Sequence, residues 1–278
     1  MTAALDRYQE LLAQRPSRIK KLIHKWWPAA AVMAAVIVFW ELFLIITGAE
    51  PFVLPPLSEI FFVGFDKWSD VFWPNARVTL VEILVGFVLS LCFGLTVAVI
   101  IFHFDVLNRG LMPFIIGSQA IPTLALAPIF IIWFGFNIWP KLIIIVLICF
   151  FPLVVNAIAG FRSIERDALN LMDSLNARDR DVFFKVLLPG ALPNIFTGIR
   201  LCAVLSPIGA FVGEYIGSDW GIAPLMIGML SAFRTAEMFF AIFLLAFMAV
   251  CLYLIVAMAE RLMIPWYFID RGKTENTT

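Results

Sequence analysis

Six apolar stretches, each close to the roughly 20 residues that an α-helix needs to cross a bilayer core, take up most of this chain. They run from Pro28 to Gly48, Ile83 to Phe102, Gly110 to Pro140, Leu142 to Phe161, Ala191 to Gly213 and Met238 to Ala259. Only helices with internally paired backbone, or closed barrels, tolerate hydrocarbon, and runs of this length select helices. Composition agrees: 62% of the 278 residues are hydrophobic and 14% charged, against about 45–50% and about 25% in soluble domains. A net charge of +0 supplies no field for nucleic acid. The fold class read from these runs is all-α, a polytopic membrane protein with six transmembrane helices.

The third stretch needs its own account. It is about 31 residues long, and as a straight helix it would span ~46 Å against a core of ~30 Å. Pro113, Gly117, Pro122 and Pro128 interrupt it. It is expected to be broken, tilted or tucked between other helices, where protein or a water-filled cavity covers the freed backbone.

Charge sets the orientation, since Lys and Arg concentrate on the cytoplasmic side. Fifteen of the twenty basic residues fall in alternate gaps. Arg7, Arg15, Arg18, Lys20, Lys21 and Lys25 precede the first stretch, Arg109 follows the second, Arg162, Arg166, Arg178, Arg180 and Lys185 follow the fourth, and Arg261, Arg271 and Lys273 follow the sixth. The other gaps hold Lys67, Arg77, Lys141 and Arg234. Both termini are therefore expected in the cytoplasm. The basic leader and the first apolar run are longer than in a cleaved signal peptide, so the run is read as a retained span.

Cys92, Cys149, Cys202 and Cys251 all lie inside apolar stretches without metal-ligand spacing, and are read as small buried hydrophobes. His24 and His103 are too few for a metal site. In the outer gap, Ser58 follows Pro55-Pro56 and can cap a helix rich in Phe and Trp, lying in the interface over about 57–73.

Between the fourth and fifth stretches, Ser163 can cap a helix from Ile164, with Leu169, Met172 and Leu175 as its apolar stripe. Asn176 suits a left-handed helix stop. A second helix is expected from Asp179, with Phe183, Phe184 and Leu187 inward, ended by Pro189 and Pro193. The resulting helical knuckle has the charged tip Asn176-Ala177-Arg178-Asp179-Arg180-Asp181. A plain connector and a surface that fits a groove on a soluble partner both match it.

Polar residues inside the spans mark candidate pathway positions. Ser118, Gln119 and Thr123 surround Pro122, Ser206 precedes Pro207, Arg200 lies in the fifth stretch and Glu214 ends it. Cavity lining and hydrogen bonds between packed helices both fit the neutral ones. Ion pairs or hydrated helix ends also fit Arg200, Glu214, Glu41 and Glu82, the last at a position where snorkelling is easy. Gly221, Pro224 and Gly228 break the apolar segment from Gly217 to Arg234, which fits either an outer gate or an interfacial loop.

Ordered blocks along the chain carry a resemblance. They are Thr79-Leu80 with Gly86, Ile121-Pro122 through Ala127-Pro128 to Trp133-Phe134-Gly135, Phe150-Phe151-Pro152, Gly160, Val186-Leu187-Leu188-Pro189-Gly190-Ala191-Leu192-Pro193 followed by Thr197-Gly198-Ile199-Arg200-Leu201, and Gly213-Glu214-Tyr215-Ile216-Gly217. From about Thr79 to Trp266 the chain resembles permeases of bacterial ABC importers. The nearest branch is the nitrate/sulfonate/taurine one, which includes permeases for thiamine-pyrimidine precursors and riboflavin. The end of the chain, with Glu260-Arg261 and Pro265-Trp266, is more similar to the pyrimidine-precursor and riboflavin members. Three departures stand out: Asn170-Leu171-Met172 where the family loop starts Glu-Ala-Ala, Asn176 where it has Gly, and Glu82 where a basic or neutral residue is common.

The resemblance implies a permease subunit in the bacterial cytoplasmic (inner) membrane. Residues 1–27 would form a cytoplasmic segment, 28–266 one transmembrane permease domain and 267–278 a cytoplasmic tail. Residues 163–190 would be the coupling helices, with Leu175, Asn176, Ala177, Arg178 and Asp179 at the contact with an ATPase. The implied partners are a second copy of the chain, two cytoplasmic ATP-binding subunits, an extracytoplasmic solute-binding protein and membrane lipid, with no nucleic acid. No Gly-x-x-x-x-Gly-Lys-Ser/Thr loop is present, so no cofactor is expected on this chain and ATP and Mg are expected on the partner. The implied cargo is a small organic molecule: a thiamine-pyrimidine precursor, a riboflavin-like heterocycle, a sulfonate or taurine. A stand-alone secondary transporter is the alternative reading, although no internal repeat is evident. An intramembrane enzyme is a further one, with neither His-Glu-x-x-His nor Gly-x-Ser-x-Gly to support it.

Overall fold

The computed structural model describes residues 18–48, 50 and 52–267. Arg7, Arg15, Arg271 and Lys273, with most of the segments expected at 1–27 and 267–278, lie outside the described residues. Every regular element among the described residues is helical: α1 (Arg18–Thr47), α2 (Leu57–Asp66), α3 (Trp73–His103), α4 (Asp105–Ser118), α5 (Thr123–Phe134), α6 (Ile138–Arg162), α7 (Arg166–Ser174), α8 (Asp179–Val182), α9 (Leu188–Gly217), α10 (Ile222–Ser231) and α11 (Thr235–Met263). Five helical stretches are long and apolar enough to cross a bilayer. A sixth crossing exists if α4 and α5, bent by 99° at their junction, count as one broken span. The overlong third stretch is thus resolved by a break.

α6 and α9 form the central pair, and they are antiparallel: Gly198 meets Leu153, and Gly213 meets Lys141. Gly198, Cys202, Ser206, Gly209 and Gly213 recur every three or four residues on α9, so the backbones approach closely. A Cβ at Gly209 would lie 2.9 Å from the Cα of Ile145, and one at Gly213 would lie 2.8 Å from the Cα of Lys141. Apolar side chains close the rest of the core. Ile83 and Phe87 of α3, Ile145 and Leu153 of α6 and Leu252 and Val256 of α11 belong to one buried cluster. At the end carrying Arg162 and the knuckle, Ala98, Ile101, Val154, Ile158, Phe161 and Ile195 form another.

Several boundaries differ from the sequence expectation. α2 ends at Asp66 rather than near 73, and its N-cap position is Pro56, not Ser58. Its first amide, on Leu57, donates instead to Glu41 Oε1 of α1 at 3.0 Å. Phe61 and Phe65 pack on Phe240, while Phe62 stays 74% exposed. Residues Trp68–Phe72 make a wide π-helical turn that continues into α3, which therefore begins ten residues before Ile83. Thr79 and Glu82 do not interrupt α3: Thr79 bonds Glu214 of α9, and Glu82 pairs through Oε1 with Lys141 of α6, its other carboxylate oxygen having no hydrogen-bond partner among the described residues.

Ser163 closes α6 rather than opening the next helix: its Oγ donates to Gly160 O at 2.8 Å. Asn176 does stop α7, at φ 49. The amides of Asn176 and Ala177 donate to Asp173 O (2.9 Å) and Met172 O (3.0 Å), the paired bonds of a Schellman motif. Pro189 and Pro193 do not end the second knuckle helix. α8 runs through a π-helical turn at Phe183–Leu187 into α9, giving one helical stretch of 39 residues, Asp179–Gly217. The wider turn just before Pro189 suits a residue that has no N–H to donate.

Gly209→Val forces Ile145 and α6 away from α9 and is expected to destabilise the chain by about 1–3 kcal/mol. Gly110→Ala, at a position with nothing within 4 Å, is expected to leave stability level or slightly raised. Thermal unfolding of the detergent-solubilised variants checks both.

Candidate functional site

Three features bring polar side chains together within this bundle. The first is the break between α4 and α5. The amides of Gln119, Ala120 and Ile121 donate to Ile116, Gly117 and Ser118 carbonyls, so α4 winds down in tight i−3 turns. Pro122 then adopts an extended conformation (φ −63, ψ 110) and opens α5. Between this break, α6 and Leu205 of α9 lies a cleft of about 500 Å³. Ser118, Gln119 and Thr123 all line it, with Phe150, Phe151 and Leu126 among its apolar walls. Ser118 Oγ donates to Ile115 O, whereas the side chains of Gln119 and Thr123 make no hydrogen bond among the described residues. Pro122 is exposed and is not among the residues that line the cleft. The cleft carries no charge, so it can hold a neutral solute by hydrogen bonds and aromatic contact.

Arg200, Ser206 and Glu214 lie elsewhere. Arg200 Nε pairs with Glu260 Oε2 on α11 at 3.3 Å. Ser206 is fully buried, donating to Cys202 O at 2.6 Å and touching Cys149 Sγ at 3.4 Å. It belongs to the α6–α9 packing, as do Cys149 and Cys202.

Glu214 belongs to the second feature, a buried polar clasp at the end of the bundle away from the knuckle. It accepts from Thr79 Oγ1 of α3 at 2.5 Å and from the Ala223 amide at 2.9 Å. Thr79 Oγ1 in turn accepts from Ile222 N at 2.9 Å, and Asn75 Oδ1 accepts from Gly221 N at 3.0 Å. Side chains from α3 and α9 thereby take the amides that open α10, which an isolated helix would leave to water. Gly221, at φ 128, is required here, because a Cβ would strike the Glu214 carboxylate. Beside this lies Lys141 of α6, whose Nζ donates to Glu82 Oε1 at 2.6 Å and Ser218 Oγ at 2.7 Å. Glu82 is thus a buried ion-pair partner and does not snorkel. Sequence reasoning missed Lys141, Asn75, Thr79 and Ser218 as clasp members. The available signal was a lysine directly before an apolar run, matched by glutamates at the ends of two other runs.

The third feature is the knuckle. Leu171 and Leu175 of its first helix are 60% and 68% exposed, and Phe184 is 55% exposed. Leu169 and Met172 are half-buried, while the Phe183 ring packs, tilted, against Phe161 of α6. Arg178 precedes α8, Asp179 opens it, and the Asp181–Lys185 pair (2.7 Å) lies along the turn that follows. Apolar side chains held out beside exposed charges present a surface that suits a groove on another protein. Among the described residues no group of three or more His, Cys, Asp or Glu is placed to hold a metal.

Comparison with known proteins identifies the architecture. Residues 90–268 match the family described as binding-protein-dependent transport system inner membrane component. The chain is 32% identical over 231 residues to the formylaminopyrimidine transport permease protein ThiX of Halalkalibacterium halodurans, covering 83% of this chain and 92% of that one. It is 31% identical over 256 residues to the riboflavin transport system permease protein RibX of Chloroflexus aurantiacus (90% and 94%). To the taurine transport system permease protein TauC of Escherichia coli it is 26% identical over 258 residues (87% and 94%).

Replacing Lys141 by Met strands the Glu82 carboxylate in the core without a counter-charge, at an expected cost of about 3–5 kcal/mol. Adding Glu82→Gln is expected to restore much of that loss. Thermal unfolding of the single and double variants measures it, and equal stability of K141M and wild type would refute the role given to the clasp.

Proposed function

The chain belongs to the binding-protein-dependent transport system inner membrane components, and from that premise we propose how it moves its cargo and what that cargo is. It is a membrane-embedded permease subunit of an ABC importer, not an enzyme, and ATP is hydrolysed on a separate subunit. Importers of this family work with ATP-binding subunits and a solute-binding protein. In the arrangement proposed here, two copies of the chain face each other in a bacterial cytoplasmic membrane, with both termini and the knuckle in the cytoplasm. Each knuckle seats in one of two ATP-binding subunits. A binding protein delivers the solute at the clasp end.

One observation carries the coupling. The helical stretch Asp179–Gly217 joins the exposed knuckle to the clasp without a break. A displacement of the knuckle by a closing ATPase is transmitted along this stretch, because a helix resists axial compression far more than side-chain contacts resist sliding. Leu175, Asn176, Ala177, Arg178 and Asp179 form the tip that the ATPase holds. Asn176 does the work of a helix-stop glycine, so the knuckle keeps its bend despite the departure from the family pattern. ATP and Mg stay on the partner.

The pathway assignment narrows to Ser118, Gln119, Pro122 and Thr123 at the α4–α5 break. Arg200, Ser206 and Glu214 act as its frame. A neutral cleft walled by Phe150 and Phe151 supports a small uncharged heterocycle as cargo, in line with the pyrimidine and riboflavin named for two of the relatives. It offers no cation for a sulfonate.

Ala177→Asp places a carboxylate beside Leu175 at the tip. Recovery of the ATP-binding subunit on co-purification is expected to fall about tenfold or more, with membrane insertion unchanged. Recovery at the wild-type level would remove the knuckle as the contact. Gln119→Leu is expected to raise the half-saturating solute concentration for uptake by roughly two- to tenfold, the worth of one hydrogen bond. Unaltered uptake kinetics in reconstituted vesicles would take Gln119 out of the pathway.

A further inference from the structure

We propose that the groove between α4 and the end of α6 binds the headgroup of an anionic glycerophospholipid, with phosphatidylglycerol as the chemistry it fits. The groove has a volume of about 820 Å³, and Asn108, Arg109 and Arg162 are among the residues that line it. Neither guanidinium has an ion-pair partner among the described residues. Asn108, only 7% exposed as a residue, also lines the groove, and its side chain makes no hydrogen bond among the described residues. Two arginines without ion-pair partners and an amide free to donate, all lining one concavity, make a receptor for a phosphate.

The shape of the groove chooses the source of that phosphate. From Arg109 it follows α4 past Met112 and Pro113 to Ile116, about 10 Å along the axis. Met112, Pro113 and the exposed Ile116 make this wall apolar, so it suits the first part of an acyl chain. An acidic side chain on a soluble partner would engage the rim and leave this floor uncovered. Asp105 also borders the groove, an acceptor beside two donors. The glycerol hydroxyls of phosphatidylglycerol can donate to it, and a choline headgroup has no proton to give. Two guanidiniums and one carboxylate sum to a single positive charge, which a phosphatidylglycerol neutralises and a zwitterionic phosphatidylethanolamine does not. A basic pocket at the water-facing end of membrane helices is also where anionic headgroups concentrate. The proposal rests only on the chain being embedded in a membrane and is independent of the cargo.

The test uses the full chain, with its ATP-binding partner, in nanodiscs of equal parts dioleoyl phosphatidylglycerol, phosphatidylethanolamine and phosphatidylcholine, with retained lipids counted by native mass spectrometry. Wild type is expected to retain phosphatidylglycerol above its bulk share. Arg109→Gln and Arg162→Gln are each expected to reduce that enrichment by roughly fivefold, the attraction of one cation near a charged headgroup. Asn108→Leu, which changes no charge, is expected to weaken it, and the R109K/R162K pair to keep most of it. Millimolar inorganic phosphate is expected to leave it in place. Bulk proportions in wild type, equal retention of phosphatidylethanolamine, or undiminished enrichment in R109Q/R162Q would overturn the proposal. So would displacement by inorganic phosphate, which marks a simple anion site. Loss of the ATP-binding partner from R109Q/R162Q in discs of phosphatidylcholine alone would mark the groove as a protein contact and overturn it as well.

Discussion

A polar group inside hydrocarbon has no water to turn to, and this bundle depends on side chains that stand in for it. Helix starts expose unpaired amides, and at α2 and α10 side chains of neighbouring helices meet them. Glu41 of α1 takes the first amide of α2. Asn75, Thr79 and Glu214 take the amides that lead into α10. Lys141 pairs with Glu82 beside the same cluster. These contacts link α3, α6, α9 and α10 at one end of the molecule, and α1 to α2 at its edge.

Around that clasp the helices divide into a frame and its attachments. The close approach of α6 and α9, set by glycine and other small residues, makes the centre of the frame. α1 stands outside it, held through Glu41 and through Trp40, whose indole donates to Pro55 O at 3.2 Å. The α4–α5 break lies on another flank, with its prolines and a cleft opening between it and α6. The knuckle projects from the opposite end to the clasp and is joined to it by unbroken helix.

Much of this was legible in the residues. Helix number followed from apolar run length, and the break in the third run followed from three prolines and a length no single crossing accommodates. Asn176 as a stop was legible, because few other residues take a left-handed conformation cheaply. Ser118, Gln119 and Thr123 were legible as a group, being polar and clustered at one proline. Other features were not. Pro189 and Pro193 read as breakers, yet the helix passes through them, since a π-helical turn and packing against α6 outweigh local preference. Ser163 reads as the cap of a helix from Ile164, yet it closes α6, with its hydroxyl donating to Gly160 O. Glu82 and Glu214 read as ends near water because hydropathy says nothing about a lysine that meets them from another helix.

What the sequence determined by itself was one-dimensional: which segments seek hydrocarbon, where the chain bends, where charge gathers, and which family pattern the blocks follow. Tertiary structure alone decided that Lys141 of α6 meets Glu82 of α3, that α10 starts on side chains borrowed from α3 and α9, and that Arg109 and Arg162 share one groove. The reason is physical. Solvent preference and backbone stiffness act on a residue and its near neighbours along the chain, while hydrogen bonds and ion pairs act over a few ångströms between residues that folding brings together from anywhere in it.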